Sequence, residues 1–305
     1  MLGTRRIPTR RCAPAALGAA LLLCALLASP AAATFPGRPG AIAFDGANGL
    51  QAISGPHYRL QTISEEGSEP AYSPNGRRIV YVSHGSRDLT VARADGSEAE
   101  VVYESHSLAD PCFSADGNRI FFSKDTSGEG YADIWSVRIG SGSAVRLTTT
   151  GTPNSEIDAR EPQVAPNGRY VAFQRSGEVW TMRPDGSRQK KLANGGSPSI
   201  SPNSRQIVFS RNGHLVFIGA GGGRERIVDP FDFKKQPEEL TRGAGWPAFS
   251  PSGRAIAFVL KRTVSFGPGL SDNKRLAVYS LATHKTKILT SRDVSPRHLD
   301  WQPLP

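Results

Sequence analysis

A segment of twelve residues recurs five times along the chain and constrains the fold more than any other feature. The copy nearest the C-terminus reads Pro247-Ala-Phe-Ser-Pro-Ser-Gly-Arg-Ala-Ile-Ala-Phe258. The copies begin at residues 70, 111, 162, 198 and 247, which gives steps of 41, 51, 36 and 49 residues. Steps of this size are close to the period of blade-type repeats.

Each copy predicts a tight β-hairpin. The proline of Ser-Pro-x-Gly sets φ at the second position of a turn, and the glycine permits a positive φ after Asn, Asp or Ser. Apolar residues then alternate, as at Ile79 and Tyr81 or at Ile256 and Phe258. This alternation is typical of a strand with one buried face.

Two further strand-like pieces follow each hairpin, so that a full unit is four antiparallel strands. Residues 41–63 hold three strands without a first one, and the C-terminus ends on a lone first strand, His298–Pro303. Together these two remainders make one more unit. The sequence therefore predicts an all-β fold, a six-bladed β-propeller of four-stranded antiparallel blades. The C-terminal strand is expected to join the N-terminal blade and close the ring, which removes exposed sheet edge.

The first 33 residues are interpreted as a signal peptide. Arg5, Arg6, Arg10 and Arg11 form a basic start, residues 15–27 are apolar, and residues 31–33 are the small residues that a signal peptidase requires. Residues 34–305 would then be a single propeller domain without a transmembrane segment. We expect it to be secreted, or to lie in the periplasm or cell envelope. The alternative, a retained anchor, is disfavoured because the apolar run is short for a bilayer span.

Charge and cysteine content exclude two further classes. The net charge of +10 falls to about +6 without the four arginines of the signal peptide, and no run of five basic residues occurs. Specific nucleic-acid binding is therefore not expected. Only Cys112 lies beyond the signal peptide, so no intrachain disulfide is expected and this thiol is interpreted as a core residue. We expect a monomer.

The five copies, of which those at 73–76 and 250–253 read Ser-Pro-x-Gly in full, resemble the WD40-like repeats of the C-terminal propeller of TolB proteins, and the resemblance covers about residues 40–305. It implies a propeller that can bind a partner in the cell envelope. TolB proteins carry an α/β domain before the propeller. We expect that domain to be absent here, together with the contacts to the inner-membrane Tol machinery that depend on it. Similar repeats form the gating propeller of prolyl-oligopeptidase-type peptidases, in which a hydrolase domain follows.

Four long connections, 124–133, 148–161, 229–246 and 260–273, are predicted to lie on one face of the propeller, with short turns on the other. Elaborated loops on a single face favour a binding face, although tolerance of insertions would give the same pattern. Aromatic residues beside cations are typical of interface hot spots. The candidate partner-binding residues are Phe231, Phe233, Lys234, Lys235, Arg242, Trp246 and Arg262. Alternatively, the two phenylalanines hold their loop against the propeller.

One residue precedes each first strand and is predicted to lie at the mouth of the central channel. These residues are Glu69, Asp110, Glu161, Ser197, Trp246 and His298. Three carboxylates and an imidazole that converge on one axis could bind a cation, and the alternative is a hydrated polar funnel. No Asp-x-Asp-x-Asp-Gly loop or His-x-x-x-His pair is present, so neither a cofactor nor a dedicated metal is expected.

Motifs for catalysis are missing. The sequence has no Gly-x-Ser-x-Gly elbow and no His-Glu-x-x-His pair, and its six histidines are scattered. We therefore expect an exported, non-enzymatic binding or scaffold propeller that engages a protein or cell-envelope partner through its long-loop face. The alternative is a hydrolase or lyase that acts on envelope sugar or peptide at the channel mouth, which rests on analogy between folds. It would use Glu69, Asp110, Glu161 and His298.

Overall fold

The computed structural model describes residues 35–83, 88–126, 128, 130–149, 158–231, 240–266, 269–291 and 294–305. The side chains of 240–242, 263–266 and 269–272 are outside this description. Twenty-four β-strands, β1 to β24, form six four-stranded antiparallel sheets within these residues. The prediction of a six-bladed propeller is confirmed. None of the described segments forms a helix of the length and hydrophobicity needed to cross a bilayer.

The blades follow one another along the chain, with the innermost strand first. Blade I contains β4 (Gly67–Tyr72), β5 (Arg78–Ser83), β6 (Leu89–Arg93) and β7 (Glu100–Tyr103). Blade II contains β8 (Leu108–Phe113), β9 (Arg119–Asp125), β10 (Ala132–Arg138) and β11 (Ala144–Arg146). Blade III contains β12 (Ala159–Val164), β13 (Val171–Arg175), β14 (Glu178–Met182) and β15 (Lys190–Asn194).

The second half of the ring repeats this order until the last blade. Blade IV contains β16 (Gly196–Ile200), β17 (Gln206–Arg211), β18 (His214–Gly219) and β19 (Arg226–Val228). Blade V contains β20 (Leu240–Phe249), β21 (Ala255–Phe266), β22 (Gly269–Ser280) and β23 (Thr286–Ile288). Blade VI joins both chain ends, with β24 (Arg297–Leu304) innermost and β1 (Arg38–Gly46), β2 (Gly49–Ser54) and β3 (Arg59–Ser64) outside it.

Pairing of β24 with β1 closes the ring, as the sequence predicts. The two strands are antiparallel, with Ile42 opposite Trp301. The indole N–H of Trp301 donates to the carbonyl of Gly40 at 3.2 Å, and Trp301 is only 8% exposed. Both the first and the last strand of the chain thereby gain a hydrogen-bonded neighbour, which leaves neither as an open edge beside the axis.

The Ser-Pro-x-Gly turns are held by their own side chains. In blade I the hydroxyl of Ser73 donates to Asn75 Oδ1 and accepts from the backbone N–H of Arg78, both at 2.9 Å. Gly76 N–H donates back to the carbonyl of Ser73 at 2.8 Å, and Gly76 has a φ of +65°. A non-glycine residue disfavours that conformation, which explains the glycine of the repeat.

The core lies between neighbouring blades and is built from the second strands. Each contributes one aromatic side chain that is at most 5% exposed: Phe44, Tyr81, Phe122, Phe173, Phe209 and Phe258. Burial of a side chain of this size contributes about 1.5–3 kcal/mol. The recurring apolar position of the repeat therefore stabilises every blade in the same way. Cys112 is also buried, and burial raises the pKa of its thiol to about 12, in agreement with its interpretation as a core residue.

Blade V departs from the prediction. Segments 229–246 and 260–273 were expected to be loops, but β20 runs through 240–246, and β21 and β22 run through 260–266 and 269–273. Residues 232–239 lie outside the described residues. Leu240 lies opposite Val264, and Phe266 lies opposite Gly269. The inner three strands of this blade are therefore 10 to 12 residues long, whereas those of blades I to IV are 5 to 7 residues long. The polar run Ser-Asp-Asn-Lys-Arg at 271–275 resembles a loop by composition, and backbone pairing overrides it.

A pair of glycine substitutions tests how blade I packs against the closing strand. Gly76 and Gly117 occupy the same turn position and have φ of +65° and +70°. A Cβ at Gly76 would overlap the carbonyl oxygen of Pro303, whereas a Cβ at Gly117 would meet no heavy atom closer than 3.4 Å. We expect Gly117→Ala to lower the free energy of unfolding by about 1 kcal/mol, the cost of the left-handed backbone.

Gly76→Ala should lower the free energy of unfolding by about 2 kcal/mol more than Gly117→Ala does, because the new Cβ also displaces the closing strand β24. Urea unfolding of both variants measures the difference. Equal losses would show that β24 does not lie against this turn.

Candidate functional site

A β-bulge in each innermost strand aims one side chain at the axis. The register shifts at Ser68/Ala71, Ala109/Cys112, Arg160/Gln163 and Gly196/Ser199, and likewise at Gly245/Ala248 and Phe44/Asp45. The bulged residues all have positive φ, between 24° and 55°: Glu69, Asp110, Glu161, Ser197, Trp246 and His298. Bulges often re-aim side chains beside functional sites, and strained backbone is often found at ligand sites.

These six side chains line a cavity of about 60 Å³ at the end of the channel, which we call the mouth. The remaining lining comes mainly from the residues that follow them in the repeat, among them Pro70, Pro111, Pro198 and Pro247. The mouth therefore has a polar ring above a mostly apolar wall. The face of the propeller that carries the mouth is the channel face, and the other face carries the Ser-Pro-x-Gly turns.

Four predicted residues come together at the mouth. Single ligand atoms of Glu69, Asp110 and His298 lie within 4.8 Å of one another. Glu161 lines the same cavity. A cavity of this size accommodates a small polar group or a few waters.

Hydrogen bonds link the mouth residues from blade to blade. A carboxylate oxygen of Glu69 accepts from the backbone N–H of Asp110 at 2.6 Å. Asp110 Oδ2 in turn accepts from the N–H of Glu161 at 3.2 Å and from the Ser123 hydroxyl at 2.9 Å. The Ser197 hydroxyl donates to Glu161 Oε1 at 3.2 Å. Each carboxylate thus holds the strained backbone or side chain of the next blade.

Burial and mutual repulsion keep two carboxyls partly protonated at neutral pH. Burial, together with the charge of Asp110, raises the pKa of both Glu69 and Glu161 to about 7. Burial alone would lower the pKa of His298, but its hydrogen bond to Asp45 and the nearby carboxylates raise it to about 9. The mouth therefore holds one imidazolium among several carboxyls and attracts positive charge.

A second polar layer lies below the mouth. Asp300 on the closing strand accepts from the backbone N–H of Tyr72 at 2.7 Å, which ties blade VI to blade I. Burial raises the pKa of Asp300 to about 6. In blade IV the Ser199 hydroxyl accepts from Phe249 N–H at 3.1 Å in the same manner. These contacts are structural, since they connect neighbouring blades within the core.

Two of the candidate partner-binding residues, Phe231 and Arg262, line one cavity on blade V. Phe231 is half-buried and packs edge-on against Phe258, with 5.7 Å between the ring centroids. This contact is the one expected if Phe231 holds its loop against the propeller rather than contacting a partner. Trp246 lies at the mouth, 5.2 Å from the His298 ring. Arg262 is half-buried, and its Nε is buried without a hydrogen bond among the described residues. Phe233, Lys234 and Lys235 lie outside the described residues, as does the side chain of Arg242.

Cations stacked on aromatic rings form a feature that the sequence analysis missed. Lys261 and Lys274, both on the long strands of blade V, lie 4.4 Å and 5.8 Å from the ring centroid of Trp246. Similar pairs occur in other blades, where Lys124 lies 5.3 Å from the Trp135 ring and Arg175 lies 4.8 Å from the Trp180 ring. In these two blades the cation follows the buried aromatic of the second strand by two residues, a signal that the sequence does contain.

The fold and the mouth together define a six-bladed propeller with a polar axial pocket. The family profile described as the TolB beta propeller domain matches residues 51–220. This match covers more than half of the chain, and the chain belongs to that family.

Solved structures agree on the fold. TolB from Acinetobacter baumannii is similar with a TM-score of 0.66 and 19% identity, over 87% of this chain and 67% of that one. A chain of the nidogen/laminin complex has a TM-score of 0.61 and 11% identity, over 86% and 98%. An oligogalacturonate lyase in complex with manganese has a TM-score of 0.52 and 11% identity, over 84% and 76%. No protein of curated function matches the sequence.

The buried carboxyls make stability depend on pH in a definite direction. The folded pKa of Glu161, about 7, lies above its ordinary value of 4.5, so folding favours the protonated form. The contribution of Glu161 to the free energy of unfolding is fully present below pH 4.5 and is lost as the pH rises through about 7. We expect Glu161→Gln to raise the free energy of unfolding at pH 8 by about 1–3 kcal/mol, and to leave it nearly unchanged at pH 4.5.

Chemical denaturation of both proteins across this range measures the effect. Glu98→Gln is the control, because Glu98 is 65% exposed in a surface ion pair, and its profile should follow that of the wild type. Superimposable profiles for Glu161→Gln and the wild type would show that Glu161 is solvated rather than buried in the mouth.

Proposed function

We propose that this propeller is a binding protein that engages a protein or cell-envelope partner through its channel face. The observation that carries the proposal is the asymmetry between the two faces. The strands β20 to β22 of blade V extend on the side of the mouth and place Lys261 and Lys274 over Trp246. The other face carries short, self-bonded turns. An aromatic ring flanked by cations beside a polar pocket is typical of interface hot spots.

Export of the chain is part of the same proposal. The basic and apolar start of the sequence supports a signal peptide, although residues 1–34 lie outside the described residues. TolB from Acinetobacter baumannii shares the fold, which is compatible with a role in the cell envelope. The partner is therefore sought among envelope proteins.

Capture of a partner by matched variants tests the proposal. Immobilised wild-type protein and Trp246→Ala are compared with Arg254→Ala, which removes an exposed side chain from a Ser-Pro-Ser-Gly turn on the opposite face. We expect Trp246→Ala to reduce the partner captured from envelope extract at least tenfold, a loss of about 1.4 kcal/mol. Arg254→Ala should leave capture unchanged. The partner is identified by mass and binding is repeated with it purified.

Equal capture by all three proteins would contradict the proposal. A loss that accompanies unfolding of Trp246→Ala is recognised from its thermal melt. In that case Lys261→Ala, at an exposed residue that contacts the same ring, takes its place. Capture retained by a folded Lys261→Ala would then exclude this part of the channel face.

A second candidate is a hydrolase or lyase that acts on sugar or peptide at the mouth. It is supported by two carboxyls with a pKa of about 7, suited to general acid–base work, and by ligand atoms of Glu69, Asp110 and His298 that could hold a metal. One structure of the same fold is an oligogalacturonate lyase in complex with manganese. Turnover of oligogalacturonate that requires manganese and is lost in Asp110→Asn would favour this candidate, and turnover retained by that variant would exclude it.

A further inference from the structure

The mouth contains more negative than positive groups. Three carboxyls line it, those of Glu69, Asp110 and Glu161, and among the lining residues the single cation is the imidazolium of His298. Its Nδ1 lies 3.2 Å from Asp45 Oδ2, so this imidazolium is already paired. Lys261 and Lys274 do not line the pocket and lie 4.4 Å and 5.8 Å from the ring centroid of Trp246. The pocket is therefore short of positive charge when it holds only protein groups.

Two carboxylate oxygens in or beside the mouth have no hydrogen-bond partner among the described residues. Glu161 Oε2 and Asp45 Oδ1 are buried and accept no hydrogen bond from any described residue. Glu69 and Asp110 each use one oxygen for the backbone of the next blade, at 2.6 Å and 3.2 Å. Buried polar atoms in folded proteins are nearly always satisfied, so an unpaired carboxylate oxygen in a pocket indicates a missing donor.

The geometry of these acceptors distinguishes between donors. Glu69, Asp110 and Glu161 come from three successive blades, so their oxygens approach the pocket from different directions. An ammonium group has three N–H donors and no acceptor, which matches three carboxyls that accept hydrogen bonds. Calcium, by contrast, takes six to eight oxygen ligands. The proline rings and Trp246 supply apolar wall over the rest of the pocket, which suits an aliphatic stem and a cation beside an aromatic ring.

We propose that the mouth binds a primary alkylammonium group, held by Glu69, Asp110 and Glu161, with its stem against the proline and tryptophan wall. A lysine side chain of a polypeptide and a free alkylamine share this chemistry. The inference rests on the proposed binding role of the channel face and names the group that the face accepts. Because small amines test it directly, it can fail or hold independently of the partner.

Calorimetric titration of the purified protein with small probes tests the proposal. n-Butylammonium chloride represents the free amine, and N-acetyl-lysine-N′-methylamide represents the lysine side chain. Both should bind, with dissociation constants of about 1 mM. n-Butyltrimethylammonium carries the same charge without N–H donors and should bind at least tenfold more weakly. A tighter lysine derivative assigns the pocket to a polypeptide, and a tighter free amine assigns it to a small ligand.

Variants connect binding to the mouth. Glu161→Gln keeps the shape of the side chain and should weaken n-butylammonium at least tenfold. Asp110→Asn should do the same, and thermal melts show that each variant is folded. Glu98→Gln, at an exposed carboxylate outside the mouth, should bind like the wild type. Unchanged affinity in a folded Glu161→Gln and a folded Asp110→Asn would overturn the assignment.

Three results of the titration would overturn the proposal. These are a lack of binding by both primary amines, equal binding of the trimethylammonium probe, and binding of calcium or manganese that the amines do not displace. The two proposals separate clearly. If the amines bind and Trp246→Ala captures the partner normally, the amine pocket is supported and the docking face is contradicted. If the amines do not bind and Trp246→Ala loses capture, the docking face is supported and the amine pocket is contradicted.

Discussion

Pairing between β24 and β1 is the contact on which the rest of the structure depends. It completes the sixth blade from strands that lie at opposite ends of the described chain, with Ile42 opposite Trp301. It also completes the mouth, because His298 lies on β24 and its partner Asp45 lies on β1. Closure therefore has an electrostatic role as well as a structural one. Without it the imidazolium would be absent from the ring of carboxyls, and Asp300 would not reach the backbone of blade I.

Most of the fold could be predicted from the sequence because its information is local and repeated. The turn chemistry around Gly76 and the buried aromatic at Phe122 or Phe258 recur in register, so each copy supports the others. The length of the strands in blade V could not be predicted. The polar residues at 271–275 carry no alternation that marks a strand, and only pairing with the neighbouring strand specifies one.

The site was predictable in its membership but not in its geometry. The position before the first strand of each unit identified Glu69, Asp110 and His298, and these residues do lie together. The sequence carries no local signal for the left-handed backbone at these positions. Glu, Ser and Trp, found at four of the five positions before a repeat proline, disfavour a positive φ, and a following proline favours an extended conformation instead. The bulges are held by hydrogen bonds from the neighbouring blade, such as Asp110 N–H to Glu69, and these contacts exist only after the ring forms.

The central claim is that ring closure gathers carboxyls from separate blades into one buried, mutually repelling cluster. Carboxyl ¹³C NMR of the folded protein measures this directly, with Glu69→Gln and Glu161→Gln used to assign the two signals. We expect both glutamates to titrate near pH 7, in accordance with their raised pKa. Titration of both near the ordinary value of 4.5 would mean that the two carboxyls are solvated separately, and would contradict the account.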